Sequence, residues 1–271
     1  MFSLTILFIC VIVQLIAPSS SNGNLNDVLF GGSYEFKDLT HPFDNDTVYW
    51  PTAMKFRFTR KIEVGNGKPS WYASNDFAAG EHGGTHLDAP YHFYKTGLRV
   101  GEIPLEKLIV TLIIVDVSSI VNEDPNFVLR KHHLDNVLYY DINKPSILVF
   151  KFGWSKYFND RKKYLGLNDY NDSLSFPSLS AEVAEWITTS YKTVVGIGVD
   201  VASVDPGSSD TFPVHKITSK AGLYNLENVN LSERVPETGC TALVMPMKIA
   251  MGTGAPLRLV ALCPKQTPTS F

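Results

Sequence analysis

Three of the seven histidines in the chain, His82, His86 and His92, fall within one short segment that also contains Asp88. Neutral imidazole and carboxylate are the side chains that hold a divalent ion such as zinc or manganese, and three protein ligands leave a coordination position open for water or substrate. A lone histidine beside a glycine turn would more often be structural. Four such groups in this pattern favour a metal site.

The spacing of these residues restricts the backbone that can carry them. On an extended strand His82 and His86 would lie about 13 Å apart, too far for one ion. A helix would bring them together, but the Gly-Gly pair that follows His82 weakens a helix, and Pro90 disfavours helical geometry at the preceding residue. We therefore predict a folded-back loop in which the glycines let the backbone turn tightly around the ion.

Short apolar runs rich in β-branched residues predict the strands that position this segment. They cover residues 110–117, 147–152, 194–199, 242–249 and 257–262. The clearest helix follows Ser180, whose side chain can cap it, and includes residues 181–187, while a weaker candidate lies at 131–139. Because strands outnumber helices, we predict a mixed fold, α+β or α/β, with a large mixed sheet.

The last two apolar runs flank a turn-rich stretch, Met-Gly-Thr-Gly-Ala-Pro at 251–256, which predicts an antiparallel hairpin. If that hairpin is symmetric about Met251 and Gly252, Cys240 and Cys263 become direct cross-strand neighbours. In an oxidising compartment they are candidates for a disulfide.

The N-terminus predicts secretion. Residues 4–17 are nearly continuously apolar and end at Pro18 and a serine run, which is short of the roughly 20 residues of a membrane span. We expect a signal peptide of about residues 1–22, a mature domain over 24–271 and no membrane association after cleavage; an uncleaved anchor is the alternative. Three Asn-X-Ser/Thr sequons, at Asn45, Asn171 and Asn230, agree with secretion.

The composition is that of an ordinary globular protein, with 44% hydrophobic and 19% charged residues. No repeat, low-complexity tract or long linker divides the mature chain, so a single domain is expected. A net charge of -3 and a pI of about 6.2 leave no basic surplus for a phosphate backbone. Nucleic acid is therefore not an expected partner.

The segment from His82 to His92 matches every fixed position of the signature His-X-Gly-Thr-His-X-Asp-X-Pro-X-His, and in this the chain resembles the metal-dependent cyclase and kynurenine formamidase family. The resemblance extends over nearly the whole mature chain. Its other parts are residues 39–42, 49–51, 152–154, 176–180, 198–206 and 256–258, together with His215 and Glu227.

The resemblance implies roles for these residues. In dinuclear members the positions of His82, His86 and Asp88 hold one metal, those of His215 and Glu227 complete a second, and the carboxylates bridge. Without the first motif, His215 and Glu227 would be an ordinary exposed pair.

Two further positions gain roles from the resemblance. His92 matches the proton-transfer residue, a role that suits an imidazole because it titrates near neutral pH. Trp50 matches an aromatic position of the substrate pocket, where the alternative is a simply packed Trp. The implied fold is an α/β domain around a barrel-like sheet, usually in a homo-oligomer, and the implied cofactor is one or two zinc or manganese ions.

The function implied is hydrolysis of a small aryl amide, foremost N-formylkynurenine to kynurenine and formate. Two alternatives remain open: lactam opening of an isatin-like molecule at a single manganese, and a secreted binding protein without turnover. Two departures from the family bear on the substrate: Phe152 stands where Thr is frequent before Gly-Trp, and Thr-Ala follows the Trp-Pro pair at 50–51, where Gly-Asp is usual.

Overall fold

The computed structural model describes residues 25–65, 70–135, 142–167 and 173–265. The predicted signal peptide, residues 1–22, and the sequon at Asn171 lie outside the described residues. Residues up to Tyr34 form one unit, whose described part contains a short helix, Leu25–Phe30, and Glu35–Phe271 form the other. No helix in the described ranges is long and apolar enough to cross a membrane.

Twelve strands and five helices are numbered here in chain order over the described residues. The strands are β1 Tyr34–Asp38, β2 Arg57–Val64, β3 Tyr72–Ala78, β4 His86–Asp88, β5 Ile109–Asp116, β6 Val128–Leu129, β7 Ser146–Lys151, β8 Ser178–Leu179, β9 Val194–Val199, β10 Tyr224–Glu227, β11 Cys240–Pro246 and β12 Gly254–Pro264. The helices are α1 Leu25–Phe30, α2 Ser118–Val121, α3 Arg161–Leu165, α4 Ala181–Ser190 and α5 Pro213–Lys220.

Seven of the strands close into a barrel. Their order is β12-β11-β5-β7-β9-β10-β4, and the ring closes because β4 pairs with both β10 and β12, while β1 lies outside the ring beside β12. The pairs among β5, β7, β9 and β10 are parallel, and the remaining pairs of the ring are antiparallel. This confirms the predicted mixed α/β fold with a barrel-like sheet.

Alternating side chains of the strands belong to two cores. In β5, Leu112 and Ile114 pack with residues from the other strands of the ring and so fill the barrel interior. Ile113 and Val115 pack on the outer face, in a cluster that includes the apolar side of α4. Both faces of this strand are buried, which explains why its sequence is a continuous apolar run.

The structure has a strand over each predicted run and a helix after Ser180, whose hydroxyl accepts a hydrogen bond from the Val183 amide. The weaker helix predicted at 131–139 is a single 3-10 turn over Lys131–Leu134 within the described part of that range. Strand β11 begins earlier than predicted and ends at Pro246, which has no N–H to extend the ladder.

One buried carboxylate joins the ends of two parallel strands. Asp200, directly after β9, accepts hydrogen bonds from the amides of Phe152, Gly153 and Trp154 at 2.7, 3.0 and 2.9 Å. Gly153 adopts a φ of 79°, a conformation that favours glycine. The 152–154 stretch and Asp200 are therefore a structural connection at one end of the barrel.

Candidate metal centre and substrate pocket

The segment that begins at His82 turns sharply and then becomes a strand. Gly83 forms an isolated antiparallel bridge with Tyr49, and a Cβ on this glycine would lie 2.0 Å from the Tyr49 ring. Gly84 has a φ of 54°. The tight turn at the glycines agrees with the expected folded-back loop. The expectation was wrong for His86–Asp88, which forms β4 because it is held between β10 and β12.

The alternation of β4 and β10 places metal-ligating side chains on the outer face of the barrel. Leu87 and Leu226 belong to the interior core, so His86 and Asp88 on β4 and Glu227 on β10 point the other way. Glu227 is the direct cross-strand partner of His86. All three side chains are buried.

A second histidine of this cluster, His215, comes from α5, which has Pro213 in its first turn. His215 Nε2 lies 3.1 Å from Asp88 Oδ2 and 3.1 Å from Glu227 Oε1. His86 Nε2 lies 3.2 Å from Asp88 Oδ1 and 3.5 Å from Glu227 Oε2. His82 Nδ1 lies 2.6 Å from Asp88 Oδ1. The structure thus brings the other four predicted ligands together around Asp88.

The donor set fits a divalent metal. Nδ1 of His86 bonds the Gly84 carbonyl at 3.0 Å, which turns Nε2 toward the carboxylates. Among the described residues that buried Nε2 has only the ion-pair contacts with Asp88 and Glu227, and neither has hydrogen-bond geometry. Among the described ion pairs, those of Asp88 and Glu227 are all with histidines, with no lysine or arginine to balance the two buried carboxylates. A cation would satisfy both features.

Two ligand groups can be distinguished by distance. The ligating atoms of His86, Asp88 and Glu227 lie within 4.8 Å of one another, and so do those of His82, Asp88 and His92. Asp88 belongs to both groups, as the resemblance implied for a bridging carboxylate, whereas Glu227 belongs to one of them. His82 and His86, which were expected to share one metal, fall in different groups. His92, predicted as a proton-transfer residue, therefore lies within reach of an ion held by His82 and Asp88.

The electrostatics of the cluster follow from burial and from the mutual attraction of histidine and carboxylate. Although burial opposes it, the attraction of Asp88 raises the pKa of His86 to about 8. Burial likewise opposes the rise in the pKa of His215, but hydrogen bonds to Asp205 and Asp88 hold it well above its usual value. Burial lowers the pKa of His92 to about 4, so its imidazole is neutral at physiological pH.

Asp205 is a site residue to which the sequence reasoning gave no role. Its Oδ2 receives Nδ1 of His215 at 2.7 Å, while its Oδ1 accepts a hydrogen bond from the Val214 amide. The sequence feature that could have identified it is the segment 198–206, which resembles the family and whose last acidic residue is Asp205. Val204, beside it, donates its amide to Glu227 Oε1 at 2.9 Å. The loop after β9 therefore orients two of the five predicted ligands.

A cavity of about 270 Å³ opens beside the cluster, close to the lower end of the range for small-molecule sites. Its aromatic wall contains Trp50, Phe93 and Phe212. The Trp50 and Phe212 rings lie edge to face at 6.0 Å, and Phe93 lies 4.5 Å from the ring of His215. The structure thus places Trp50 in the pocket wall, where the resemblance implied it.

Phe212 has an unusual backbone. It adopts a φ of 49° immediately before α5, which is a strained conformation for a bulky residue. Such strain persists where the surrounding structure imposes it and is frequent at ligand sites. Here the conformation places the ring between Trp50 and Phe93.

The remaining predicted sites lie outside this cluster. Asn45 is exposed, whereas Asn230 is partly buried, and its side chain accepts a hydrogen bond from the Ser232 amide. Cys240 and Cys263 form a disulfide with a Cα separation of 4.3 Å, and the register that pairs Thr241 with Leu262 makes them cross-strand neighbours.

Comparison with known proteins identifies a family model, curated relatives and a solved structure that resemble this chain. The Cyclase family model matches residues 37–206. Isatin hydrolase of Roseibium aggregatum is 25% identical over 92% of this chain and 99% of its own length, and kynurenine formamidase of Bacillus thuringiensis is 28% identical over 83% and 96%. The structure of isatin hydrolase A from Ralstonia solanacearum is similar with a TM-score of 0.77 and 26% identity, covering 88% of this chain and 95% of that one.

Proposed function

This chain belongs to the cyclase family, and on that premise we propose that it is a metal-dependent hydrolase of small aryl amides. One observation carries the proposal: the buried or half-buried side chains of His82, His86, His215 and Glu227 gather around Asp88 beside an aromatic cavity. A binding protein without turnover would not need a cluster of metal-ligating side chains in the lining of its pocket.

The leading substrate is N-formylkynurenine, converted to kynurenine and formate. Its aromatic body suits the wall made by Trp50, Phe93 and Phe212, while its formamide would face the carboxylates. A second candidate is lactam ring opening of an isatin-like molecule. It is supported by the isatin hydrolase relative that matches 92% of this chain.

Each group of the site has a task in amide hydrolysis. A divalent ion held by His82, His86, Asp88, His215 and Glu227 would supply Lewis acidity toward the amide carbonyl and toward water. We assign to His92 the transfer of a proton from the attacking water to the departing nitrogen, supported by its stacking on His82 with ring centroids 3.9 Å apart. The Val204 amide fixes the Glu227 carboxylate, and the aromatic wall orients the substrate.

The ion is proposed to be zinc or manganese, one or two per chain, because mixed histidine and carboxylate ligands suit either metal. Elemental analysis of freshly purified protein tests this. Less than about 0.2 metal per chain, with no binding of added zinc or manganese, would contradict a resident metal.

We propose that the protein is a homo-oligomer. Strands β2 and β3 contain no buried residue, and Phe58, Trp71 and Phe77 are exposed in or beside them. A lone two-stranded hairpin is at most marginally stable in water, so a second copy of the chain is its simplest cover. Light scattering on purified protein should give a multiple of the chain mass, and Phe77→Asp should lower it.

Secretion is likewise a proposal, supported by the apolar stretch at residues 4–17 and by the exposure of Asn45 in its sequon. N-terminal sequencing of protein collected from the medium should start near residue 23. Treatment with a glycosidase specific for N-linked sugars should lower its mass if Asn45, Asn171 or Asn230 is modified.

The activity test uses metal-loaded protein with N-formylkynurenine, isatin and a panel of aryl formamides. A formamidase releases formate and an aryl amine, whereas a lactamase-type activity gives one ring-opened carboxylate, so the products separate the two candidates. His86→Ala is the matched control for contaminating activity. No product from any substrate with either metal would reject the hydrolase proposal.

A further inference from the structure

The turn that connects the last two strands folds over His82, about 170 residues earlier in sequence. Thr253 Oγ1 lies 2.8 Å from His82 Nε2. The same hydroxyl lies 2.7 Å from Oε2 of Glu81, and that carboxylate oxygen also accepts the backbone amide of Thr253 at 2.9 Å. Glu81, Thr253 and His82 therefore form a continuous hydrogen-bonded chain that ends at the metal cluster.

The donors and acceptors of these hydrogen bonds follow from the number of protons that each group can donate. A threonine hydroxyl has a single proton to donate, whereas a carboxylate can only accept. The 2.7 Å contact with Glu81 therefore uses the Thr253 proton, and the hydroxyl can meet His82 only as an acceptor. It follows that Nε2 of His82 carries a proton and that Nδ1 is the nitrogen left to face the ion.

The surroundings of the ring oppose any other orientation. Nδ1 lies 2.6 Å from Asp88 Oδ1, and the ring stacks on His92. On another side the backbone of Gly254 approaches so closely that a Cβ there would lie 2.4 Å from Cε1 of His82. The imidazole is thus held by its hydrogen bonds and by contacts with its neighbours.

We propose that Thr253 and Glu81 are positioning residues that fix the tautomer and orientation of His82, so that its Nδ1 serves as a metal ligand. The proposal rests on the proposed metal-dependent function. It assigns His82 the same kind of support that Asp205 gives His215, with a hydroxyl inserted between carboxylate and imidazole. Such outer partners typically contribute 10–100-fold to metal affinity.

The test compares Thr253→Val, which keeps the shape and removes the hydroxyl, with Thr253→Ser, which keeps the hydroxyl. Zinc affinity is measured by competition with a chromophoric chelator. We expect the dissociation constant to rise about 10–100-fold in Thr253→Val and to stay within about threefold of the wild type in Thr253→Ser. Glu81→Gln should weaken binding in the same direction, and it replaces Thr253→Val as the test if that variant does not fold.

A second readout follows the proton itself. Long-range ¹H–¹⁵N spectra of the imidazoles, with His82 identified by its loss in His82→Gln, should show the proton on Nε2 in wild type and Thr253→Ser. Absence of a proton from Nε2, or unchanged zinc affinity in both Thr253→Val and Glu81→Gln, would overturn the proposal. Because the spectra can be recorded without metal at pH 8, they test the hydrogen bonds from His82 to Thr253 and Glu81 even if the wild type binds no zinc and the proposed function fails.

Discussion

The carboxylate of Asp205 lies 2.7 Å from Nδ1 of His215, and this contact turns the opposite ring nitrogen toward Asp88 and Glu227. Asp205 is fully buried and is held by the amides of Val214 and His215. It is therefore a rigid acceptor behind a metal ligand, an arrangement that fixes the tautomer of the histidine and raises its basicity.

Asp205→Asn should weaken metal binding by about 10–100-fold, because an amide at this position removes the negative charge behind His215. Metal affinity is measured by chelator competition. Asp210→Asn, at an exposed residue of the same loop, is the control and should bind metal as the wild type does. Equal affinity in both variants would show that Asp205 has no influence on the ion.

His92→Ala should keep its metal and lose about 10²–10⁴ in turnover, the usual contribution of a positioned proton-transfer group. His86→Ala should lose metal and activity together because it removes a ligand. Metal content and turnover are measured on the same samples. Loss of metal from His92→Ala would instead show that His92 is a metal ligand together with His82 and Asp88. Full activity of His92→Ala would make Glu227 the next candidate for the proton-transfer residue.

Phe212 allows backbone strain and substrate contact to be separated. Phe212→Ala and Phe212→Gly both remove the ring, so both should raise KM for an aromatic amide. Only glycine relieves the left-handed conformation, and Phe212→Gly should therefore be more stable than Phe212→Ala by about 1 kcal/mol. Urea unfolding of the two variants measures this difference. Equal stability would mean that the backbone relaxes when the ring is removed.

The disulfide between Cys240 and Cys263 closes a hairpin with a sequence separation of 23. Intact-mass analysis of secreted protein should show no free thiol at these two positions. Replacing both cysteines by alanine should lower the free energy of unfolding by up to about 3.5 kcal/mol, because the denatured chain gains freedom. A melting temperature that does not change on reduction would indicate that the strand ladder alone holds the hairpin.

The sequence by itself determined the chemistry of the site and the class of the fold. The His82 to His92 signature identified the ligand types. The apolar runs located the central strands, because a strand that is buried on both faces is a continuous apolar run in the sequence. Ser180 likewise marked the start of α4 through its local capping chemistry. These features depend on residues that lie close together along the chain.

Beyond the five predicted ligands, only the tertiary structure decided which residues meet. His86–Asp88 was predicted as loop and is a strand, because β10 and β12 pair with it from distant parts of the sequence. Asp205, Glu81 and Thr253 gained roles in the same way, since a hydrogen bond depends on a separation of about 3 Å in space. Ring closure of the barrel brings those atoms together, and no local pattern of the chain encodes that distance.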